Sequence, residues 1–453
     1  MKYEDKIKPL QKDMLESLRR LVRYNSVEGD PLPGKPFGEE PAACLAEALT
    51  IADEMGFRTE NLDNYCGWAE MGEGEDLIGI VAHLDIVPAG KGWDTDPFTL
   101  TEKDGRVYGR GVSDDKGAAI ASLYAMKLVR EMGVPLKKRV RLILGTNEET
   151  GSACMDYYAK HGEAVTCGFT PDGDFPGVYG EKGACNMVMC SKNTKILSME
   201  GGFVTNAVCD HCITKLPAAE VSAEALKEAL SGTPLKSYEV TEEDGILTVD
   251  AYGLAAHAST PLLGVNAASY TMKALEEAGM KDDFVDFYNC RIGTECDGDG
   301  LGLKASDPYG PLTLNQGVVR TKNGKVFCSI DIRYPVTMQP DQLEDLCRAR
   351  LEDERGVILI EELVKPLFFD RNSKLVEDLL AAYREITGDR ETEPMVLGGG
   401  TYAKHVPGII AFGCAFPDTD NHIHNSNESL SLEEWELQVA IYTEAILRLL
   451  NWE

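Results

Sequence analysis

Apolar and polar positions switch between two periods along the chain, and the switches predict its elements. Lys6–Tyr24 and Glu39–Met55 carry apolar residues at helical spacing. Pro41 falls in the first turn of the second stretch and Gly56 just past its end, the places each residue favours at helix termini. Leu77–Ala82 reads differently. LIGIVA is an uncharged, β-branched run that predicts a strand buried on both faces of a parallel sheet. A glycine-rich turn, Gly109–Gly117, then opens a helix over Ala118–Glu131 that stops at Gly133. Arg139–Leu144 and Cys167–Thr170 are further strands. The alternation predicts an α/β domain with a mixed, largely parallel sheet and helices on both faces.

From about Ser191 the pattern changes. Strand-like runs at Gly245–Ala251 and Val326–Ile332 alternate with amphipathic helices at Ala223–Leu230, Ala267–Glu277 and Pro340–Leu351. Two stretches share a plan of strand, proline-containing link and acidic helix, which predicts an α+β domain of two similar halves. Near Leu367 the α/β character returns, with a helix at Lys374–Ile386, an apolar run at Gly408–Phe416 and a last helix at Leu432–Leu450. The simplest organisation is one domain, residues 1–189 and 368–453, interrupted by an insert, residues 190–367.

Composition narrows the partners. The 453 residues are 43% hydrophobic and 26% charged, with a net charge of −30. Such an acidic surface argues against nucleic acid or an anionic membrane as partner. The charged N-terminus reads as an amphipathic helix, not a signal peptide, and no apolar run is long enough to span a membrane. The 13 cysteines are scattered through apolar segments, which predicts reduced thiols and a cytoplasmic location. Cys209-Asp-His-Cys212 has the spacing of a metal or redox pair, but no second pair completes four zinc ligands.

The candidate chemistry lies at the strand ends. His83 and Asp85 follow LIGIVA, in the region where ligands bind open α/β sheets. Residues two apart in extended chain share a face, so Asp85 would sit beside the His83 ring and orient it. Among seven histidines, His422 and His424 sit in a polar turn before the last helix and His257 in the insert. His161, His211 and His405 read as structural. His83, Asp114, Glu149, Asp172 and one C-terminal histidine form a set of imidazoles and carboxylates suited to a pair of zinc ions. Glu148, next to Glu149, could face water as a base while its neighbour holds metal. An acidic first helical turn would explain the same two glutamates.

Taken in order, His83-Leu-Asp85, Gly111-Val-Ser-Asp-Asp-Lys-Gly117, Asn147-Glu-Glu-Thr-Gly151, Pro171-Asp172 and His424-Asn-Ser-Asn-Glu428 resemble the di-zinc metallopeptidases. That family holds the PepV-type dipeptidases, carnosinase, succinyl-diaminopimelate desuccinylase and glutamate carboxypeptidases. The insert adds the family's Gly-x-x-x-His pattern at His257 and Asp331-Ile-Arg-Tyr-Pro335. Gly92–Phe98, Asp172–Pro176 and Gly398–Ala403 are similar to the PepV-type branch.

The resemblance implies a catalytic domain with an inserted lid, and two Zn²⁺ per chain with Mn²⁺ or Co²⁺ as substitutes. His83 and Asp172 would bind one ion, Glu149 and His424 the other, and Asp114 would bridge them. Asp114 rather than Asp115 matches the family aspartate, and the bond between the two is often cis in relatives. His424 is favoured over His422 because only it satisfies His-x-x-Asn-Glu. Asp85 would orient His83, Glu148 would be general base and acid, and His257 would stabilise the oxyanion. Arg333 would hold a substrate carboxylate, helped by Asn206, Gly400 and Thr401. The large, doubled insert implies a monomer whose His257 serves its own chain, where relatives with a short lid dimerise.

The expected function is a zinc-dependent dipeptidase acting on short peptides with a free C-terminal carboxylate. The same centre on an N-acyl amino acid, as a deacylase or desuccinylase, is the nearest alternative. A catalytically silent substrate- or metal-binding protein on this fold is a third reading.

Overall fold

The computed structural model describes residues 2–452. It divides into two compact units, one formed by Met1–Gly180, Phe369–Val396 and Gly400–Glu453, the other by Glu181–Phe368 and Leu397–Gly399.

In the first unit, four parallel strands form the middle of a mixed sheet in the order Arg139–Gly145, Leu77–His83, Cys167–Thr170 and Ile409–Ala411. Leu77–His83 is buried at every position, as its unbroken apolar run requires. Gly79 and Gly168 are opposite each other, and a Cβ on Gly168 would meet the Gly79 carbonyl oxygen at 1.8 Å. These central strands approach too closely there for any side chain. Two antiparallel strands not anticipated from the sequence, Arg58–Leu62 and Cys66–Met71, extend one edge. Arg58–Leu62 is mostly exposed and polar, and Cys66–Met71, though buried throughout, carries Gly67 and Glu70, so neither shows a clear apolar period.

Helices cover both faces. Ala69 and Met71 join the core packed under Glu39–Glu54, Lys116–Glu131 and Leu432–Leu450. On the opposite face Trp68 packs edge-on against Tyr158 of Ala153–His161. The expected N-terminal helix is broken into Glu4–Ile7, a 3₁₀ turn at Lys8–Leu10 and Gln11–Val22. Pro9, which lacks an N–H and crowds the preceding turn, accounts for the break. Of the apolar run Gly408–Phe416 only Ile409–Ala411 is strand.

The second unit holds an eight-stranded antiparallel sheet. One half runs Ser237–Glu243, Ile246–Tyr252, His211–Pro217, Ser198–Gly201; the other mirrors it as Gly356–Val364, Gly183–Ser191, Lys325–Tyr334, Thr313–Lys322. The helices Ala223–Ser231 and Pro340–Cys347 follow equivalent strands. In the second half one strand, Gly183–Ser191, comes first in the chain rather than last, which is why the likeness shows only partly in sequence. It also corrects the boundary expected after residue 189, because the whole of Gly183–Ser191 pairs within this sheet. Asp244-Gly245 and Asn323-Gly324, all at positive φ, close the two hairpins as tight turns of the kind these dipeptides favour. No helix among the described residues is long and apolar enough to cross a membrane.

Candidate metal centre

The carboxyl ends of the parallel strands bring the predicted ligands of the first unit together. His83 ends its strand, Glu148 and Glu149 follow Arg139–Gly145, and Asp172 follows Cys167–Thr170. Asp114 arrives on the turn that opens Lys116–Glu131, and its bond to Asp115 is cis. Its carboxylate faces both imidazoles: Oδ1 is 2.9 Å from His83 Nε2 and Oδ2 is 2.8 Å from His424 Nε2. Glu149 Oε2 is 3.2 Å from the same His424 nitrogen, and Asp172 Oδ2 is 3.9 Å from His83 Nε2. Ligand atoms of His83, Asp114 and Glu149 lie within 4.8 Å of one another, as do those of His83, Glu148 and Asp172. His422 is exposed on the same turn, its N–H bound to Asp420, while His424 is the histidine that reaches Asp114.

The donor set fits divalent metal. Two imidazoles and three carboxylates converge, one carboxylate is shared between the imidazoles, and Glu149 Oε1 is buried without a hydrogen-bond partner. Burial alone would push Asp114 up, but hydrogen bonds to His424 and His83 hold it well below the usual carboxylate range. Burial opposes a charged His424, yet Asp114 and Glu149 raise it to about 11. Burial and then the Asp172 charge push Glu148 well above the ordinary glutamate value.

Asp85 orients His83 differently from expectation. The His83 Nδ1 contact at 3.0 Å is to the Asp85 backbone carbonyl, and the carboxylate Oδ1 stands 3.5 Å away. Asp85 Oδ2 instead accepts the Glu149 N–H at 3.0 Å, so one residue aligns both a histidine and the glutamate turn.

Five residues without an assigned role in the sequence complete the support. Glu428, fully buried, accepts the N–H groups of Ser113 and Asp114 on Oε1 and that of Gly111 on Oε2. The equally buried Arg110 donates to Oε2 at 2.8 Å. Glu428 closes the motif that begins with His424, so one segment delivers a ligand and clamps the Asp114 turn. Gly117 completes the turn, since a Cβ there would meet the Val112 carbonyl at 1.9 Å. Asp115 Oδ2 accepts the His83 N–H at 3.1 Å, and Tyr402 sets its ring edge-on to His83. An acidic residue inside a histidine motif was the available signal for Glu428, and Tyr402 lies inside Gly398–Ala403, a stretch marked only by its likeness to the PepV-type branch.

The other candidates are placed as follows. Thr401 is buried and caps the short turn Tyr402–Lys404, and Gly400 is exposed beside it in the first unit. Within the second unit, Ala258 N–H donates to Asn206 O at 2.8 Å, and Ala207 pairs with His257. The Ser259 N–H donates to His257 Nδ1, which puts the ring proton on Nε2. Arg333 gives Nε and Nη2 to the two oxygens of buried Asp331, at 2.7 and 2.8 Å. His211 and His405, read as structural, meet Asp250 at 2.7 Å and Asp156 at 3.1 Å.

Glu428→Gln keeps the shape of the clamp but weakens its hold on the Asp114 turn. Metal affinity, measured by chelator competition, is expected to fall about 10–100-fold with secondary structure intact. Unchanged affinity would show that the turn holds its form without the carboxylate.

Comparisons with known proteins bear on the family and on the fold. The model of peptidase family M20/M25/M40 matches residues 79–448. A putative dipeptidase of Bacillus subtilis, YtjP, is 34% identical over 466 residues, covering 99% of this chain and 100% of its own. Among solved structures, human carnosine dipeptidase 1 superposes with a TM-score of 0.60 at 18% identity, covering 98% of both chains. The dipeptidase Dug1p of Saccharomyces cerevisiae gives 0.57 at 14%, over 99% of this chain and 98% of its own. These two likenesses speak to the fold, and the family rests on the sequence match: the chain is a member of peptidase family M20/M25/M40.

Proposed function

We propose that the chain is a metal-dependent dipeptidase that hydrolyses short peptides with a free C-terminal carboxylate. The observation that carries the reading is the Asp114 carboxylate, with one oxygen on His83 and the other on His424. A carboxylate so shared is what two cations held side by side require. The near-full-length relation to a putative dipeptidase supports the substrate class.

His83, Asp172 and Asp114 would hold one divalent cation and His424, Glu149 and Asp114 the other, with Zn²⁺ the natural choice for N/O ligands and Mn²⁺ or Co²⁺ as substitutes. The ions would supply Lewis acidity, polarising the scissile carbonyl and making water acidic enough to attack at neutral pH. Glu148 takes the proton of the attacking water and returns one to the leaving amine. Its raised affinity for protons suits both halves of that task. His257, with its proton on Nε2, donates to the developing oxyanion. Arg333 anchors the substrate carboxylate. Asp331 already occupies its Nε–Nη2 edge, so the substrate would meet the guanidinium from the Nη1 side. Asn206, Gly400 and Thr401 would complete that end. The thirteen cysteines are all unpaired, which supports a reducing cytoplasm as the working compartment.

A panel of free, β-alanyl and N-acetylated dipeptides separates this reading from a deacylase. The free dipeptides are expected to be cleaved, and cleavage of the N-blocked members alone would overturn the proposal. In Glu148→Gln, turnover is expected to drop about 10²–10⁴-fold while metal content stays at the wild-type level. Wild-type turnover in that variant would remove Glu148 from the mechanism.

The enzyme is proposed to work as a monomer, each chain using its own His257. Mixing His257→Ala with Glu148→Ala protein is then expected to restore no activity, and recovery in the mixture would show that the histidine comes from a second chain.

A further inference from the structure

The second unit contains a cavity of about 110 Å³ that the proposed reaction does not use. One water needs only about 10–15 Å³ of such space, so several waters or one small organic molecule would fit. Its apolar wall is made by Val208, Pro261, Leu262, Ile292 and Leu314, and no lining residue carries a charge. Gln316 lines it from Thr313–Lys322, is 1% exposed, and has a buried amide nitrogen with no hydrogen-bond partner. Its amide oxygen faces the Tyr288 hydroxyl at 3.5 Å, and that hydroxyl is already paired with Ser269 Oγ at 2.7 Å. Rotating the amide by 180° exchanges which atom lacks a partner without providing one. An unmet polar group of this kind costs about 1–3 kcal/mol unless something in the cavity satisfies it.

The surrounding backbone is arranged around this residue. The pairing of Thr313–Lys322 with Lys325–Tyr334 shifts register between Gln316 and Val319, a bulge of the sort found beside binding sites. Asn315, which also lines the cavity, donates its Nδ2 to the carbonyls of Thr205 and Ala207, which flank Asn206, at 3.2 and 3.0 Å. The cavity wall at Pro261–Gly264 belongs to the loop that carries His257, and that loop is tied to the Asn206 segment by Ala258 N–H to Asn206 O and Val208 N–H to Ala256 O.

We propose that this cavity is a ligand-binding site for a small uncharged molecule with a branched apolar body and an amide-like donor–acceptor end, and that its occupant steadies the loops bearing His257 and Asn206. The amide end pairs with Gln316, and the apolar body lies on Leu314, Ile292 and Val208. Free amino acids, the products of the proposed reaction, are excluded because the lining offers no counter-charge to their termini. Filling the cavity links the strand to the Pro261–Gly264 wall, so a bound molecule would favour one arrangement of the two loops. The site itself stands apart from the dipeptidase proposal; the effect on catalysis rests on it.

Isobutyramide is the probe, tested on the full chain by saturation-transfer NMR and then in dipeptide assays. Saturable binding to the wild-type chain is expected, weakened at least tenfold in Gln316→Leu, which removes the amide, and in Leu262→Trp, which blocks the mouth from an exposed position. Circular dichroism confirms that both variants fold. No saturable binding, which would mean a cavity holding water only, overturns the proposal, as does equal binding to both variants. Saturating isobutyramide is expected to change wild-type kcat at least twofold while leaving Leu262→Trp unaffected. Binding with no change in kcat would overturn the coupling to the His257 loop. If no dipeptide is cleaved at all, the binding comparison still decides the site.

Discussion

Burying like charges side by side is the constraint on which the first unit depends. Asp85, Asp114 and Asp115 are buried, and Glu148, Glu149 and Asp172 half-buried, around the carboxyl ends of adjoining strands, and taking even one carboxylate out of water costs several kcal/mol. Two imidazoles can offset only part of that charge. The fold spends main-chain hydrogen bonds on the remainder: Glu149 N–H on Asp85, His83 N–H on Asp115, and a set of turn N–H groups on Glu428. What these bonds do not satisfy, including the second oxygen of Glu149, is what divalent cations would satisfy.

Rigidity at Asp114 follows from the same economy of contacts. The Glu428–Arg110 pair is buried on both sides and holds three successive parts of one turn, while Ser429–Ser431 pairs with Arg106–Tyr108 to fasten that segment from outside. Lys116, fully buried, donates to the Leu21 and Tyr24 carbonyls at the end of Gln11–Val22, so the N-terminal helix is anchored to the same turn. Residues from the N-terminal helix, the central strands and the last polar turn are therefore fixed relative to one another by charge and backbone pairing together. A metal centre with ligands more than three hundred residues apart in sequence needs such fastening to hold geometry to fractions of an ångström.

Much of this was legible in the chain. LIGIVA declared a doubly covered strand because no other context tolerates so long an uncharged β-branched run, and His83 at its end had no packing reason to be there. The Glu148–Glu149 pair and the glycine-rich turn at Asp114 were marked by their order relative to the strands. Less visible were features set by three-dimensional proximity. Asp85 works through its carbonyl and through Glu149, which period-two alternation cannot anticipate. Tyr402 reaches His83 across the fold, and Gln316 is one amide in an ordinary strand until the bulge beside it is seen. Pro9 was readable as a helix breaker, and the break it makes is a local effect that amphipathic spacing conceals.

The sharing of Asp114 between two cations is the claim from which the proposed chemistry follows. Anomalous X-ray scattering at the zinc edge, from crystals of the full chain grown with Zn²⁺, tests it directly. Two peaks are expected, one bonded to His83 and Asp172, the other to His424 and Glu149, with one Asp114 oxygen on each. A single peak, or two peaks with Asp114 bonded to only one, would contradict the account.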